Sequence, residues 1–372
     1  MRIGIFLTMA GRQAAGPETY ETNLVRSMAA LDCNDELHLF CLSREAASAL
    51  GIQQENVRYH ILWPRLRWVS IPFSLPAELL AHRLDIVHAT LIPPPVSPVN
   101  YVFTLHDLTS FQNPEYYPPL IRWRLNQAIS RGLSKARRIL CVSTFVRDQV
   151  HETFGIPLER LVVIHHGVAE QFRPVPQAQA RLLLFQKYGL SRPFLLFVGQ
   201  MKARKNILRI LEAFGRFRRE TITDTTLVLV GRRGHTSEGI DETIQRLQLE
   251  YDVLELGHVP AEDLPALYSA AEMFVFPSLL EGFGLPVLEA MACDTPVITS
   301  NVSALPEVAG DAALLVNPLS VEELADAIRS LHSDGLLRQR LKEKGLARAN
   351  QFSWAQTARE TRNAYREALD HA

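Results

Sequence analysis

The chain has 372 residues, 47 % of them hydrophobic, which suits two compact domains of roughly 100–200 residues each. Thirty-nine basic residues nearly cancel forty acidic ones, so nothing in the overall charge argues for nucleic acid or an acidic polymer as partner. No apolar stretch approaches the ~20 residues that span a bilayer, so any membrane contact is expected to be peripheral.

The opening "MRIGIFLTMAGRQAAG" has the basic residue, apolar run and small residues of a signal peptide. Its apolar run is also of strand length and leads through a Gly-containing loop into a helical pattern, which suits the first strand of an α/β domain in a cytoplasmic protein. Further apolar runs follow: "LHLFCL" (37–42), "DIVHA" (85–89), "YVFTLHD" (101–107), "RILCVS" (138–143) and "LVVIHHG" (161–167). They alternate with helix-length segments such as 17–31 and 119–136. Continuous apolar strands between helices predict a mostly parallel sheet buried on both faces. Cys33, Cys41, Cys141 and Cys293 form no CxxC pair and sit mostly in apolar runs, which predicts reduced thiols without a disulfide framework or cysteine-based zinc site.

At "VAEQFRPVPQAQA" (168–180) the rhythm breaks, and this Pro- and Ala-containing stretch reads as an interdomain linker. It restarts with "FLLFVG" (194–199), "TLVLVG" (226–231), "VLELG" (253–257), "MFVFPS" (273–278), "PVITS" (296–300) and "AALLV" (312–316). The expected fold is therefore α/β, with two tandem doubly wound, Rossmann-like domains facing a central cleft. The first spans 1–170 and the second 171–353, with a C-terminal helix over 354–372. Ligands of such sheets bind beyond the carboxyl ends of the strands.

Two loops at those ends carry candidate chemistry. In "FVGQMKARKNILRILEAFGRF" a strand ends at Gly199, and Lys202, Arg204 and Lys205 precede a helix with Asn206 as its expected N-cap. Basic side chains beside a helix N-terminus can seat a diphosphate, and the alternative is a solvated basic loop. In "EGFGLPVLEA" Pro286 suits the start of a helix, while Gly282 and Gly284 let the backbone approach a ligand. Glu281 precedes that helix and Glu289 lies within it. They can grip two parts of one ligand, or serve as a cap and a surface carboxylate. In the first half, "TLHDLTSF" places His106 at a strand's end, where it is either an acid, base or hydroxyl donor or a structural histidine. Gly16 precedes the first helix and either approaches phosphate or satisfies a turn. The chain contains no Walker loop, no complete G-x-G-x-x-G, no G-x-S-x-G, no H-E-x-x-H and no Asp-x-Asp. A nucleotide-sugar diphosphate would thus have to be neutralised by basic residues and helix N-termini.

Taken in order, "HDLTSFQNPEYY", "VSTFVRDQV", "VIHHGVAEQFRP", the "VGQMKARKN" loop and "EGFGLPVLE" resemble the retaining glycosyltransferases of family 4, which have the GT-B fold. The resemblance covers nearly the whole chain. It implies a nucleotide-sugar donor bound mainly by the C-terminal domain and an acceptor bound mainly by the N-terminal one, onto which the C-terminal helix packs back. Carried over residue by residue, Glu281 would contact the donor sugar near its C3 hydroxyl and His106 its C6 hydroxyl. Gly282, Phe283, Gly284 and Leu285 would lie at sugar and phosphate, with backbone groups of the last three facing them. Glu289 would hold the ribose, Arg204 and Lys205 the diphosphate, Gly16 would lie against the phosphates, and the backbone around Val259 would meet the base. No metal or other cofactor is implied. Two positions depart from many relatives: Gln200 stands where an Arg is common, and Pro17 follows Gly16 in place of a Gly-Gly pair. The "RKN" and "HDLTSFQNPEYY" forms look most like mannosyltransferase-type members, which implies GDP-mannose as donor. A UDP-sugar-dependent glucosyl- or N-acetylhexosaminyltransferase and a catalytically silent nucleotide-sugar-binding protein are the alternatives.

The segment "IRWRLNQAISRGLSKARR" (121–138) carries Arg122, Arg124, Arg131, Lys135, Arg137 and Arg138 and no acidic residue. It is either a solvated helix face or a surface for anionic lipid head groups at the inner face of the membrane. Together with the aromatic and basic "WPRLRWVSIPF" (63–73), the second reading suits a polyprenyl-linked saccharide acceptor.

Overall fold

The computed structural model describes residues 1–12, 16–64, 66, 69–234 and 237–370. The chain forms two compact units, Met1–Gly167 with Ser353–Ala372, and Val168–Phe352. In the first unit β1 (Arg2–Leu7), β2 (Glu36–Cys41), β3 (Val57–Ile61), β4 (Ile86–Ala89), β5 (Tyr101–Leu105), β6 (Arg138–Cys141) and β7 (Leu161–Val163) pair in parallel in the order β3-β2-β1-β4-β5-β6-β7. Every residue of β4 and β5 is buried, as a strand covered by helices on both faces requires. The strand missing from the apolar runs is β3, whose "VRYHI" is only half-buried because it closes the sheet's edge.

The second unit repeats the plan with β8 (Phe194–Val198), β9 (Thr226–Val230), β10 (Val253–Gly257), β11 (Met273–Phe276), β12 (Val297–Ser300) and β13 (Ala313–Val316). All are parallel, in the order β10-β9-β8-β11-β12-β13. The helix Ile207–Glu220 presents Ile207, Ile210, Leu211, Phe214 and Phe217 as one buried stripe. Full burial of Phe214 or Phe217 is worth about 1.5–3 kcal/mol relative to leaving it exposed. In each sheet the strand order reverses beside its first strand, between β1 and β4 and between β8 and β11. The loops leaving β8 and β11 therefore open at a topological switch point, where α/β sheets leave room for a ligand.

Three segments refine the sequence expectation. Residues 168–180, read as the linker, begin at the boundary between the units and are mostly exposed, yet they attach to the second unit: Phe172 is buried edge-on against Tyr268, Val175 N donates to Ser269 Oγ at 3.0 Å, and Gln177 opens the helix Gln177–Tyr188. The basic segment 121–138 runs from the expected helix into the start of the expected strand. The helix Pro119–Lys135 ends because "RILC" is needed as buried strand β6. Only Arg122, Arg124, Arg131 and Lys135 lie on it; Arg137 donates to Asn100 Oδ1 at 3.1 Å and Arg138 pairs with Glu367 at 3.6 Å. The helix also exposes apolar Leu120, Ile121 and Trp123 at its start. Third, "WPRLRWVSIPF" contains Arg65, Arg67 and Trp68, which lie outside the described residues, while Trp63 and Phe73 are exposed.

The final helix, Trp354–Asp370, packs in the first unit. Its Tyr365 hydroxyl lies 2.7 Å from His88 Nδ1, and Thr357 Oγ1 donates to His165 O at 2.8 Å. No described helix is long and apolar enough to cross a membrane.

Candidate active site

The loops after β8 and β11 are knitted together. Leu279 N donates to Arg204 O at 2.8 Å, and the Asn206 side-chain amide donates to Pro277 O at 3.0 Å and Pro318 O at 2.7 Å. Asn206 is thus not the side-chain N-cap expected from its position. Its backbone is left-handed at φ 66°, which turns the amide away from the helix that follows and toward the neighbouring loop.

Within this frame Lys205, Arg204 and Glu281 meet. Lys205 Nζ donates to Glu281 Oε1 at 2.5 Å, and Arg204 Nη1 lies 3.0 Å from Glu281 Oε2 while donating to Leu280 O at 2.8 Å. Lys205 also stands 4.5 Å from the centroid of the Phe276 ring, so the ammonium has an aromatic face as well as a carboxylate. Burial alone would push the Glu281 carboxyl up, but Arg204 and Lys205 bring it down to about 2. Burial brings the Lys205 ammonium down to about 8 against the pull of Glu281. At neutral pH Glu281 is an anion that cannot serve as a proton donor, and it sits between two cations.

Gly282, Phe283, Gly284 and Leu285 lead into the helix Leu285–Ala292. Gly284 has φ 120°, and a Cβ there would come 2.8 Å from Leu305 Cδ2, so glycine is required by backbone and by space. Phe283 is buried edge-on against Phe352. Pro286 stands in the first turn and brings no N–H, and Val287 N donates to Gly284 O at 2.9 Å, so this helix start favours negative charge mainly through its dipole. Glu289, further along the helix, is not part of the Lys205–Glu281 cluster: it accepts from Tyr268 Oη at 3.0 Å, and burial raises its carboxyl to about 7. Val259 is buried in the loop after β10, at the same carboxyl edge of the sheet.

In the first unit, His106 follows β5 and donates from Nε2 to Thr90 O at 3.0 Å, with burial lowering its pKa. Tyr20 meets its ring edge-on at 4.7 Å, and the Tyr20 hydroxyl is 2.9 Å from Thr104 Oγ1. Gly16 begins the helix Gly16–Ala29, with no atom of the described residues within 4 Å of a Cβ placed on it. Sequence reasoning overlooked Glu21. This buried carboxylate accepts from the backbone amides of Thr8 (2.9 Å), Met9 (2.8 Å) and Ala10 (2.8 Å) and from Thr90 Oγ1 (2.7 Å). Glu18 takes Gly11 N at 2.8 Å. Two carboxylates thus hold the loop that Gly16 was expected to bring to phosphate. The signal was legible: Glu21 stands three, four and seven positions before Leu24, Val25 and Met28, on the helix's buried stripe.

The family model for "Glycosyl transferases group 1" matches residues 183–348, and that for "Glycosyltransferase Family 4" matches 14–172. O-antigen chain mannosyltransferase B of Escherichia coli is 39 % identical over 266 residues, 71 % of this chain and 70 % of that protein. The chain belongs to glycosyltransferase family 4. Serotype-specific mannosyltransferase WbdA of Escherichia coli, 32 % identical over 276 residues, matches 72 % of this family 4 chain but 33 % of its own length, so this chain spans about a third of that relative. Sucrose-phosphate synthase from Thermosynechococcus elongatus superposes with TM-score 0.79 at 22 % identity over 100 % of both chains. HepE of Anabaena, in complex with UDP-glucose, does so with TM-score 0.79 at 19 % identity over 100 % of both. The fold of this family 4 member is GT-B, and it is a mannosyltransferase-like hexosyltransferase.

Proposed function

We propose that the chain transfers mannose from GDP-mannose to a saccharide or polyprenyl-linked saccharide during O-antigen-type polysaccharide assembly, with retention of configuration and without a metal ion. The observation that carries this reading is the 39 % identity to an O-antigen chain mannosyltransferase, shared over 71 % of the chain. The chemistry of the second unit supports it. Arg204 and Lys205 supply two positive charges at a switch point, as a leaving diphosphate requires, and the helix that starts after Gly284 adds the positive end of its dipole.

In this reading the bond from the sugar's anomeric carbon to the diphosphate breaks as the acceptor oxygen bonds to the same face, and the acceptor's proton passes to the departing diphosphate. Glu281, ionised throughout, accepts hydrogen bonds from the donor sugar's hydroxyls and stabilises positive charge at the ring. It does not shuttle the proton. Glu289 accepts from the ribose hydroxyls. His106 of the first unit, the acceptor-binding half, accepts from a sugar hydroxyl through Nδ1, since its Nε2–H is held by Thr90 O. Exposed Leu120, Ile121 and Trp123 beside Arg122 and Arg124 favour docking of that unit on an anionic membrane, where the lipid-linked acceptor resides.

Thermal unfolding with GDP-mannose, GDP, UDP-glucose and UDP-N-acetylglucosamine tests the donor. A ligand at 100 times its Kd adds about 2.7 kcal/mol to native stability. Stabilisation by the guanine compounds alone is expected; stabilisation by the uracil compounds alone would replace mannose transfer with UDP-sugar transfer.

A further inference from the structure

Away from these loops, the first unit gathers three histidines. His38 lies on β2, His60 on β3, and His82 follows the helix Leu75–Ala81. They are 22 residues apart in each step, so no local motif announces them; the fold assembles them. Phe40 pairs with His60 and His38 with Arg58, which puts both histidines on one face of the sheet, one step apart along the strands. His38 Nδ1 and His60 Nε2 are 3.0 Å apart, their rings are parallel to within 2°, and the His60 and His82 rings are 4.1 Å apart. One ring nitrogen from each of the three lies within 4.8 Å of the others. His38 is buried, while His60 and His82 are partly exposed, which leaves an approach from solvent.

The His38–His60 spacing is close to what a metal ion asks for, and the nitrogen of His82, within 4.8 Å of both, would have to move inward by up to about 1.5 Å to join them. Two imidazole nitrogens bound to tetrahedral zinc at about 2.0–2.1 Å stand about 3.3 Å apart. His38 and His60 would thus separate by a few tenths of an ångström as the cation replaced their shared proton. Carboxylates stand behind two of the rings. Glu36 Oε2 lies 3.7 Å from His38 Nε2, a buried nitrogen with no hydrogen-bond partner among the described residues. Glu36 is itself held by Arg2 Nε at 3.0 Å and Arg58 Nε at 2.7 Å. Glu78 Oε2 lies 3.2 Å from His82 Nε2. A histidine that ligates through Nδ1 and gives its Nε2–H to a carboxylate is oriented and made more basic by it.

We propose that His38, His60 and His82 bind one divalent transition-metal cation, zinc in the first instance, with water in the fourth position. Imidazole ligands suit zinc, copper and nickel and disfavour magnesium and calcium. The ion ties edge strand β3, which has a single strand neighbour, and the end of the helix Leu75–Ala81 to β2. It is a structural clip in the first unit, separate from the transfer chemistry proposed for Glu281 and Arg204.

The test is titration of the full chain, stripped with EDTA and desalted, with zinc chloride by calorimetry, alongside thermal unfolding with and without zinc. Cobalt(II) serves as a second probe through its visible absorption. One equivalent of zinc, a zinc-dependent rise in Tm, and loss of both in His60→Gln and in His82→Gln are expected, with circular dichroism showing both variants folded. Glu36→Gln should retain the site with roughly tenfold weaker affinity. Absence of saturable binding by the wild-type chain overturns the proposal and leaves a hydrogen-bonded histidine stack over Phe40. Binding that survives in both histidine variants overturns it equally.

Discussion

Replacing Glu281 by Gln removes the anion held between Lys205 and Arg204 while keeping its shape. Its carboxyl is brought from 4.5 to about 2 in the folded chain. At about 1.36 kcal/mol per pKa unit, ionised Glu281 contributes on the order of 3 kcal/mol at pH 7. A depressed carboxyl pKa gives stability that is present above the unfolded value of 4.5 and lost as the pH falls toward 2. Summing the two protonation equilibria, the contribution falls to roughly 1 kcal/mol at pH 3. Urea unfolding followed by far-UV circular dichroism should therefore find Glu281→Gln destabilised at pH 7 by about 3 kcal/mol, in the range for removing one partner of a buried pair. The gap to wild type should narrow by about 2 kcal/mol at pH 3. A gap under about 0.5 kcal/mol at pH 7, or one equal at both pH values, would refute the buried-pair reasoning.

Glu289 has the opposite sign. Its folded-state pKa is raised to about 7, so its contribution to stability is full below 4.5 and declines as the pH rises through 7. Because ribose hydroxyls bind the carboxylate, the ratio of wild-type to Glu289→Gln affinity for GDP by calorimetry should rise roughly tenfold from pH 6 to pH 8, the titration of Lys205 at about 8 being common to both proteins. Equal pH dependence in both proteins would remove Glu289 from the nucleotide site. Neutralising Arg122, Arg124 and Arg131 together should cut binding to vesicles containing phosphatidylglycerol, at about 1 kcal/mol per charge lost near the surface. Unchanged co-sedimentation would return this helix to an ordinary solvated surface.

The legibility of this chain follows the range over which each signal acts. Most strands announced themselves because a strand buried on both faces must be apolar throughout, and the edge strands β7, β10 and β13 because they stay largely apolar; β3, an edge strand with Arg58 and His60, does not. The apolar runs overshot β5, β6 and β8, and the overshoot contained residues such as His106 and Gly199 that begin the loops. "EGFGLPVLE" was readable because a left-handed glycine and a helix-starting proline are local requirements. Contacts across long separations were not. The ion pair of Lys205 with Glu281 joins residues 76 apart, and Asn206 holds the expected N-cap position without capping through its side chain, because its partners, Pro277 and Pro318, are brought to it only by the sheet. The three histidines were invisible for the same reason. Glu21 was the one local signal passed over, a carboxylate on an apolar stripe that holds the loop after β1.

Release of nucleoside diphosphate from GDP-mannose and UDP-sugars by the purified chain, in EDTA and with a lipid-linked saccharide acceptor, tests the central claim most directly. The account predicts GDP release from GDP-mannose, undiminished by EDTA apart from any loss of the histidine-bound ion's stabilisation, and abolished by Glu281→Gln at a temperature where that variant is folded. Release from a UDP-sugar alone, or turnover by Glu281→Gln at the wild-type rate, would contradict it.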